Sequence, residues 1–372
     1  MDEIKLTEQN AEKPSDCLPS RLEEKSAAVG SSSRKRYLSV LSVIACLSVL
    51  CLHINSGYWT YRNNFLWYCS NLIECLFYFA APVFFMITGA TLIDYNKRYS
   101  TRQYAKKRLT RVGIPFLFWS VFGLLFRLIA GDITWGSLTL RSVINSLVNT
   151  RYMTIYWFFI SLFVLYLAIP LFSNVADEKK RTVFGYLIAV GFTLNAFLPL
   201  LFNLLHLEYN QNLMFGVCSE PLLYALLGYY IDRYEIPKTW RTGIYAAGIA
   251  GLLIHLFGTA LLSHSAGQVI TIFKGYGNVP CILYAVAIFT LFKYTDKTRV
   301  MAFLEKLVKP LSDCTFGIYL THMFALETVI KVSDRVAFGL PLRILLEAVA
   351  LVLVIALVKL LTKIPYVRRI VG

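Results

Sequence analysis

The chain has 372 residues, of which 57% are hydrophobic and only 16% are charged. Soluble globular chains are nearer to about 45–50% apolar and about 25% charged, and a mean hydropathy of +0.57 excludes a pair of water-soluble domains. We therefore predict an integral membrane protein, whose formal net charge of +15 has to be explained by where the charges lie.

The N-terminal segment is polar. Residues 1–33 are mixed in charge and rich in Ser, Glu and Lys, with no apolar periodicity. A segment of this composition cannot bury enough apolar surface to order itself. We therefore predict that residues 1–36 form a disordered cytoplasmic tail.

Apolar runs recur from Tyr37 onward. Each is roughly 17–25 residues long, which is the length that crosses about 30 Å of hydrocarbon as a helix. The fold class predicted is all-α: a polytopic membrane domain over 37–363, followed by a basic cytoplasmic tail at 364–372. About ten transmembrane helices are predicted, at 37–56, 66–93, 112–130, 154–173, 184–206, 213–231, 243–263, 276–293, 312–332 and 341–362.

The Lys and Arg residues between these runs indicate the orientation. With the N-terminus in the cytoplasm, the inner connections carry twenty-four of them and the outer connections carry seven. Because cytoplasmic connections hold an excess of Lys and Arg, both termini are predicted to face the cytoplasm. The basic balance is then a topology signal, so we expect membrane lipids and no nucleic acid among the partners.

Several ionisable residues lie inside the apolar runs. Such residues are costly in hydrocarbon and are functional candidates by default. They are concentrated towards the outer half of the predicted helices: His53, Glu74, Arg127, Glu220, His322, Glu327 and Glu347. The alternative is that Arg127 and the carboxylates form ordinary salt bridges between helices. The five His residues show no HxxxH or HExxH spacing, so no metal site is predicted.

His53 stands out on the first predicted helix. Ser42, Cys46, Val49 and His53 follow one another at helical spacing on one face. A neutral imidazole there can take a proton from a hydroxyl group, and Glu74 can orient it. The alternative for His53, as for His322, is a hydrogen-bonded packing residue.

The connection over 97–111 reads KRYSTRQYAKKRLTR and contains seven basic residues. Basic side chains beside a helix start can hold phosphates through charge-assisted hydrogen bonds. We predict phosphate binding by Lys107, Arg108 and Arg111. Topological retention and contact with anionic lipid headgroups are the alternatives.

Taken together, these segments resemble the acyltransferase-3 family of bacterial membrane acyltransferases. The similar segments are VIACLSVLCLHIN ending near His53, AAPVFFMITGATLIDY, KKRLTRVGIPFLFWS, YWFFISLFVLYLAIPLF, LLGYYID, and FGIYLTH ending at His322. The resemblance implies about ten transmembrane helices and O-acetylation of surface glycans. It implies that His53 is the catalytic His of the first helix, and that Arg108 and Arg111 form the RxxR motif that handles acyl-CoA.

The sequence departs from the family pattern on the first helix. The family has an Arg, then ten intervening residues, then the catalytic His, and the Arg position is Ser42 here. An Asp that is often found three residues earlier is Ser39 here. Another cation such as Arg127 then serves, the chemistry differs, or activity is lost.

The leading hypothesis is an enzyme of the bacterial inner membrane. It moves an acyl group, expected to be acetyl, from cytoplasmic acyl-CoA to a hydroxyl of a surface glycan or lipid-linked sugar. His53 is its general base or a transient acyl carrier. The second hypothesis is a secondary transporter or glycan flippase that uses the same buried charges, and the third is a non-catalytic binding subunit.

Overall fold

The computed structural model describes residues 21–336 and 340–371. Helix accounts for 80% of the structure, and the described residues contain no β-strand. The prediction of an all-α fold is therefore confirmed. The α-helices of the described part are α1 (Arg21–Ile54), α2 (Phe65–Phe77), α3 (Ala80–Leu92), α4 (Thr101–Arg108), α5 (Ile114–Ile129), α6 (Leu140–Val148), α7 (Trp157–Ser173), α8 (Asp177–Phe192), α9 (Leu198–Leu204), α10 (Glu220–Arg233), α11 (Lys238–Leu253), α12 (Thr259–Ala266), α13 (Val279–Thr295), α14 (Arg299–Val308), α15 (Thr315–Val336), α16 (Leu340–Leu361) and α17 (Arg368–Val371).

Shorter helical segments of two other kinds connect these helices. The 3₁₀ segments are Ser56–Trp59, Tyr95–Lys97, Trp135–Ser137, Thr154–Tyr156, Gln211–Leu213, Gly216–Cys218 and Lys309–Leu311. The π-helical segments are Leu109–Gly113, Thr193–Phe197 and Ile254–Gly258.

Seven helical segments of the described part are long and apolar enough to cross a membrane: Arg36–Ile54, Phe65–Lys97, Thr101–Ile129, Thr154–Ser173, Asp177–Leu204, Lys238–Ala266 and Leu342–Leu361. An eighth is formed if α13 and α14, which are bent by 106°, make one broken span. The predicted runs at 213–231 and 312–332 overlap α10 and α15, which are not among these segments. The protein is thus a multi-pass membrane protein, and the count of about ten stays a prediction.

The first helix begins before the first apolar run. Helix α1 starts at Arg21 and continues to Ile54, so residues 21–36 are helical where the sequence predicts a disordered tail. The composition of this segment excludes a packed core. It does not exclude a helix, because the segment extends α1, whose apolar C-terminal half is held in place by packing. The predicted tail before Arg21 lies outside the described residues.

Prolines explain several irregularities of the long helices. A proline has no N–H to donate to the carbonyl four residues earlier, so the helix breaks or widens there. The π-helical segments Leu109–Gly113 and Thr193–Phe197 end two residues before Pro115 and Pro199. Pro170 lies inside α7, and the Tyr104 hydroxyl donates to the carbonyl of Tyr166, four residues before it.

Helices α3 and α10 pack with their backbones nearly touching. A Cβ built on Gly89 would lie 1.9 Å from the carbonyl oxygen of Ala225, and one on Gly228 would lie 2.1 Å from that of Met86. Small residues at such crossings let membrane helices approach closely, where dispersion and weak polar contacts replace the hydrophobic effect. Glycine at these two positions therefore allows the close contact between α3 and α10.

Candidate active site

A cavity of about 250 Å³ lies at the end of the bundle where α1 ends and α2 begins. Three ionisable side chains from separate parts of the chain line it, His53, Glu74 and Lys274. The remaining wall is mainly aromatic and includes Trp59, Tyr78, Phe84, Trp157, Phe158, Tyr276 and Tyr319. An enclosed, mostly apolar cavity with a few convergent polar groups is the usual form of a small-molecule site. We call it the outer cavity.

His53 reaches the outer cavity from the last turn of α1. Its ring lies 5.2 Å from the ring of His322, measured between centroids. His322 is fully buried, and its Nδ1 is 3.0 Å from the carbonyl oxygen of Ile318. Because a carbonyl only accepts, Nδ1 carries the proton and Nε2 is the free acceptor of the neutral ring. That Nε2 has no partner among the described residues. The short distance between the two rings makes the predicted histidines a neighbouring pair.

Glu74 lies on the buried face of α2 and is not hydrogen-bonded to His53 in this structure. One carboxylate oxygen pairs with the ammonium group of Lys274, and the other accepts from Nδ2 of Asn55 at 3.3 Å. Lys274 and Glu74 are only 4% and 6% exposed. A buried charge without a partner is very costly, so this pairing explains how both ions are retained in the cavity wall.

Lys274 is the site residue that the sequence reasoning missed. It lies between α12 and α13, in the segment KGYG at 274–277, and is one of the basic residues assigned there to the outer connections. The aromatic rings of Tyr58, Trp59 and Tyr78 surround its ammonium group at 4.0–4.9 Å from their centroids. Such cation–π contacts add to the ion pair. The two glycines that flank Tyr276 are the signal that the backbone enters a crowded place here.

Glu220 begins α10 and lines a second cavity of about 350 Å³. The backbone N–H of Gly277 donates to its carboxylate. Lys274 and Tyr276 line both this cavity and the outer cavity. The structure therefore places Glu220 in a cavity that adjoins the outer cavity, and not in the wall that His53 and Glu74 share.

Arg127 and Glu327 are brought together away from the outer cavity. Arg127 Nη1 lies 2.6 Å from Glu327 and 3.0 Å from Asp132, so the pair links α5 to α15. Lys331 joins the group at 2.6 Å from Asp132. Hydrogen bonds from Lys331 and Arg127 lower the pKa of the Asp132 carboxyl. This is the geometry of the salt-bridge alternative, and Arg127 does not line the cavity in place of the missing Arg.

Arg108 lines an apolar groove of about 500 Å³ between α4–α5 and α7. Its guanidinium lies over the rings of Tyr104 and Tyr166, and its Nε is buried without a partner among the described residues. Arg111 is exposed and does not line the groove. Lys107 is exposed, with its ammonium 3.8 Å from the ring centroid of Tyr99.

The π-helical segment explains why the two arginines separate. Arg108 and Arg111 are three residues apart, which would place them on neighbouring rows of an α-helix. The wider i→i+5 turns of Leu109–Gly113 rotate Arg111 away from Arg108. The predicted pair of phosphate ligands is therefore not held in one pocket in this structure.

Phe159 contacts one ring that lines the groove and one ring that lines the outer cavity. Phe159 is buried, and its ring lies 5.6 Å from Phe116, which lines the groove, and 5.6 Å from Tyr319, which lines the cavity. Helix α7 contributes Phe158 to the cavity and Tyr166 to the groove. These two positions are roughly 12 Å apart along the helix axis.

The fold and site define a multi-pass helical membrane protein with an imidazole-containing cavity towards one end and an arginine groove towards the other. The profile of the acyltransferase-3 family, described as an acyltransferase domain, matches residues 35–362, which is nearly the whole chain. The chain belongs to this family, and the predicted resemblance is confirmed. Membership of this family supports the assignment of the protein as a membrane acyltransferase. No curated protein and no solved structure gives a significant match to the chain.

Proposed function

We propose that this protein transfers an acyl group, expected to be acetyl, from cytoplasmic acyl-CoA to a hydroxyl of a surface glycan or lipid-linked sugar. One observation carries the proposal. His53 lines the outer cavity, and Phe159 contacts both a ring that lines this cavity and a ring that lines the groove of Arg108. A base in a cavity next to a phosphate-binding groove is the arrangement that such a transfer requires.

The proposed location is the bacterial inner membrane, with about ten transmembrane helices and both termini in the cytoplasm. The support is the distribution of Lys and Arg, twenty-four in the inner connections and seven in the outer ones. In this orientation the groove opens at the cytoplasmic face, where acyl-CoA is found. The outer cavity lies towards the opposite face, where a surface glycan is assembled.

The donor binds in the groove. Arg108 provides a guanidinium whose Nε is still available, and exposed Lys107 and Arg111 add positive charge at the membrane surface. The apolar walls of the groove suit the arm and acyl chain of the thioester. Because roughly 12 Å separates groove from cavity along α7, an extended arm reaches the cavity once the Phe159 ring rotates aside.

The chemistry takes place in the outer cavity. His53 takes the proton of the acceptor hydroxyl as its oxygen attacks the thioester carbonyl carbon. The new C–O bond forms, the C–S bond breaks, and the proton passes from His53 to the departing CoA thiolate. The products are the acylated sugar and free CoA.

Lys274 supplies the positive charge near the reacting carbonyl, and Glu74 holds that ammonium in place. Ser42, at the family's Arg position, lies roughly 16 Å below His53 along α1 and does not line the outer cavity. The positive charge in this cavity therefore comes from Lys274, in the segment between α12 and α13, and not from the position of Ser42 on α1.

Mass spectrometry of surface glycans and glycolipids from cells with and without the protein tests the proposal. We expect one acyl mass increment that requires the unmutated chain and disappears in His53→Ala. His264→Ala is the matched control, because His264 is exposed at the same end of the bundle and does not line the cavity. An unchanged increment in well-expressed His53→Ala contradicts the mechanism, and no increment in native cells favours the transporter or flippase alternative.

A further inference from the structure

The outer cavity is the first of three cavities that adjoin one another. The second, of about 350 Å³, shares Lys274 and Tyr276 with it. The third, of about 720 Å³, shares Asn195, Pro199 and Asn203 with the second. Together they form a row of adjoining cavities from His53 to the segment over 207–214 between α9 and α10.

The KGYG segment lies at the edge that the first two cavities share. The ring of Tyr276 stacks on Tyr78 at 4.5 Å and on Trp157 at 5.5 Å between centroids, which fixes it in the wall. Gly275 has φ +143°, a conformation that other residues rarely adopt. A Cβ on Gly277 would lie 3.0 Å from a carboxylate oxygen of Glu220. Glycine at both positions keeps side chains out of this shared edge.

The second and third cavities are lined by groups that exchange hydrogen bonds with hydroxyls. They include Asn203, Glu208, Gln211 and Glu220. Amides donate and accept, whereas carboxylates accept, and this mixture matches hydroxyl groups, which do both. The Asn203 side chain lies at the junction of the two cavities and has no hydrogen-bond partner among the described residues. It is therefore free to bind a ligand that runs from one cavity into the other.

From this geometry, we propose that the second and third cavities are subsites for further sugar residues of the acceptor. The reacting sugar occupies the outer cavity, and the following residues of the glycan extend past Lys274 and Tyr276 towards Asn203 and beyond. The inference rests on the proposed function, which it deepens by making the acceptor an oligosaccharide and not a single sugar. The walls combine apolar side chains such as Leu200 and Met214 with amides and carboxylates, a mixture that suits a sugar, which has both apolar faces and hydroxyl groups.

Binding of sized glycan fragments tests the subsites without any transfer. The surface glycans of the native host are partly hydrolysed and separated into mono-, di- and longer saccharides. Immobilised, detergent-solubilised protein is incubated with each fraction in the absence of acyl-CoA, and the retained sugars are measured by mass spectrometry. A host glycolipid carrying one sugar is the comparison probe for a lipid ligand.

We expect disaccharides and longer fragments to be retained at least about tenfold better than monosaccharides. Asn203→Leu should lower retention of the longer fragments about fivefold, which corresponds to one lost hydrogen bond. The matched control is Asn212→Leu, because Asn212 is exposed nearby and lines none of the three cavities. It should bind like the unmutated protein.

Equal retention of all sizes, retention of no fragment, or an unaffected Asn203→Leu variant overturns the inference. Stronger retention of the single-sugar glycolipid than of free oligosaccharides overturns it as well. Because acyl-CoA is absent, these outcomes do not depend on catalysis. A failure of acyl transfer in cells therefore remains distinguishable from a failure of the subsites.

Discussion

The outer cavity and the groove of Arg108 differ in how their charged residues are paired. In the cavity, Glu74 and Lys274 neutralise each other, and three aromatic rings enclose the ammonium. In the groove, Arg108 lies between two tyrosine rings with an unpartnered Nε among the described residues. The charges in the cavity neutralise each other without a ligand, whereas the positive charge of Arg108 in the groove is available to an anionic ligand.

The difference follows from how each region is reached by water. An unpaired ion inside a bundle loses its hydration and is retained only with a partner. The groove begins at α4, which carries several exposed basic side chains, so water and counter-ions can screen Arg108 until a ligand arrives. Under the proposed function, the groove binds an anion and the cavity binds a neutral sugar.

Breaking the α3–α10 crossing should abolish both regions together. Gly228→Leu forces a side chain into the backbone of α3 at Met86, and we expect a loss of stability of at least about 3 kcal/mol. The measurement is the yield of monodisperse protein in detergent. Gly243→Leu on α11 is the control, because a Cβ there meets no atom within 4 Å. Normal yield of Gly228→Leu would show that the crossing is not needed.

Removing one partner of the Glu74–Lys274 pair should damage the cavity alone. Lys274→Met leaves the Glu74 carboxylate buried without its cation, and breaking such a pair costs about 3–5 kcal/mol. Thermal unfolding in detergent should show a large drop in melting temperature for Lys274→Met.

The double variant separates stability from catalysis. Glu74→Gln with Lys274→Met removes both charges and should recover most of the stability of the single variant. Acyl transfer should stay low in it, because the positive charge near the carbonyl is missing. Recovery of activity together with stability would limit the pair to a structural role.

The groove is expected to respond through donor affinity. Arg108→Gln should raise the KM for acyl-CoA about tenfold at unchanged kcat, since a charge-assisted hydrogen bond contributes about 1.5–3 kcal/mol. Arg111→Gln is the paired comparison. It is exposed outside the groove, so we expect a smaller rise of about threefold or less. A larger effect at Arg111 than at Arg108 would contradict the separation of the two arginines.

The smallest effect is expected at the ion cluster away from both regions. Asp132→Asn weakens contacts to Arg127 and Lys331 at the protein surface, and such contacts contribute less than about 1 kcal/mol. Thermal unfolding and acyl transfer should both stay close to those of the unmutated protein. A strong loss of acyl transfer at unchanged stability would indicate that the ion cluster is a functional site.

The sequence predicted much of the fold and part of the site. Hydropathy indicated each apolar helix, because a membrane span must be apolar along its whole length. It did not reveal the π-helical turn before Pro115 or the bend between α13 and α14, because such irregularities depend on local backbone hydrogen bonds and not on hydropathy. His53 and Glu74 were predicted to share a site, and the structure places both in one cavity wall.

What the sequence by itself determined is the class of fold, the family and the two residues of the cavity that lie on apolar helices. A charge inside an apolar run is conspicuous because hydrocarbon tolerates so few. Only the tertiary structure decided that Lys274 completes the cavity, that Arg127 pairs with Glu327, and that Arg111 turns away from Arg108. A basic residue in a connection looks the same in the sequence whether it lies in water or folds back into the bundle. Its partner is chosen by contacts between segments far apart in the chain, as the 200 residues between Glu74 and Lys274 illustrate.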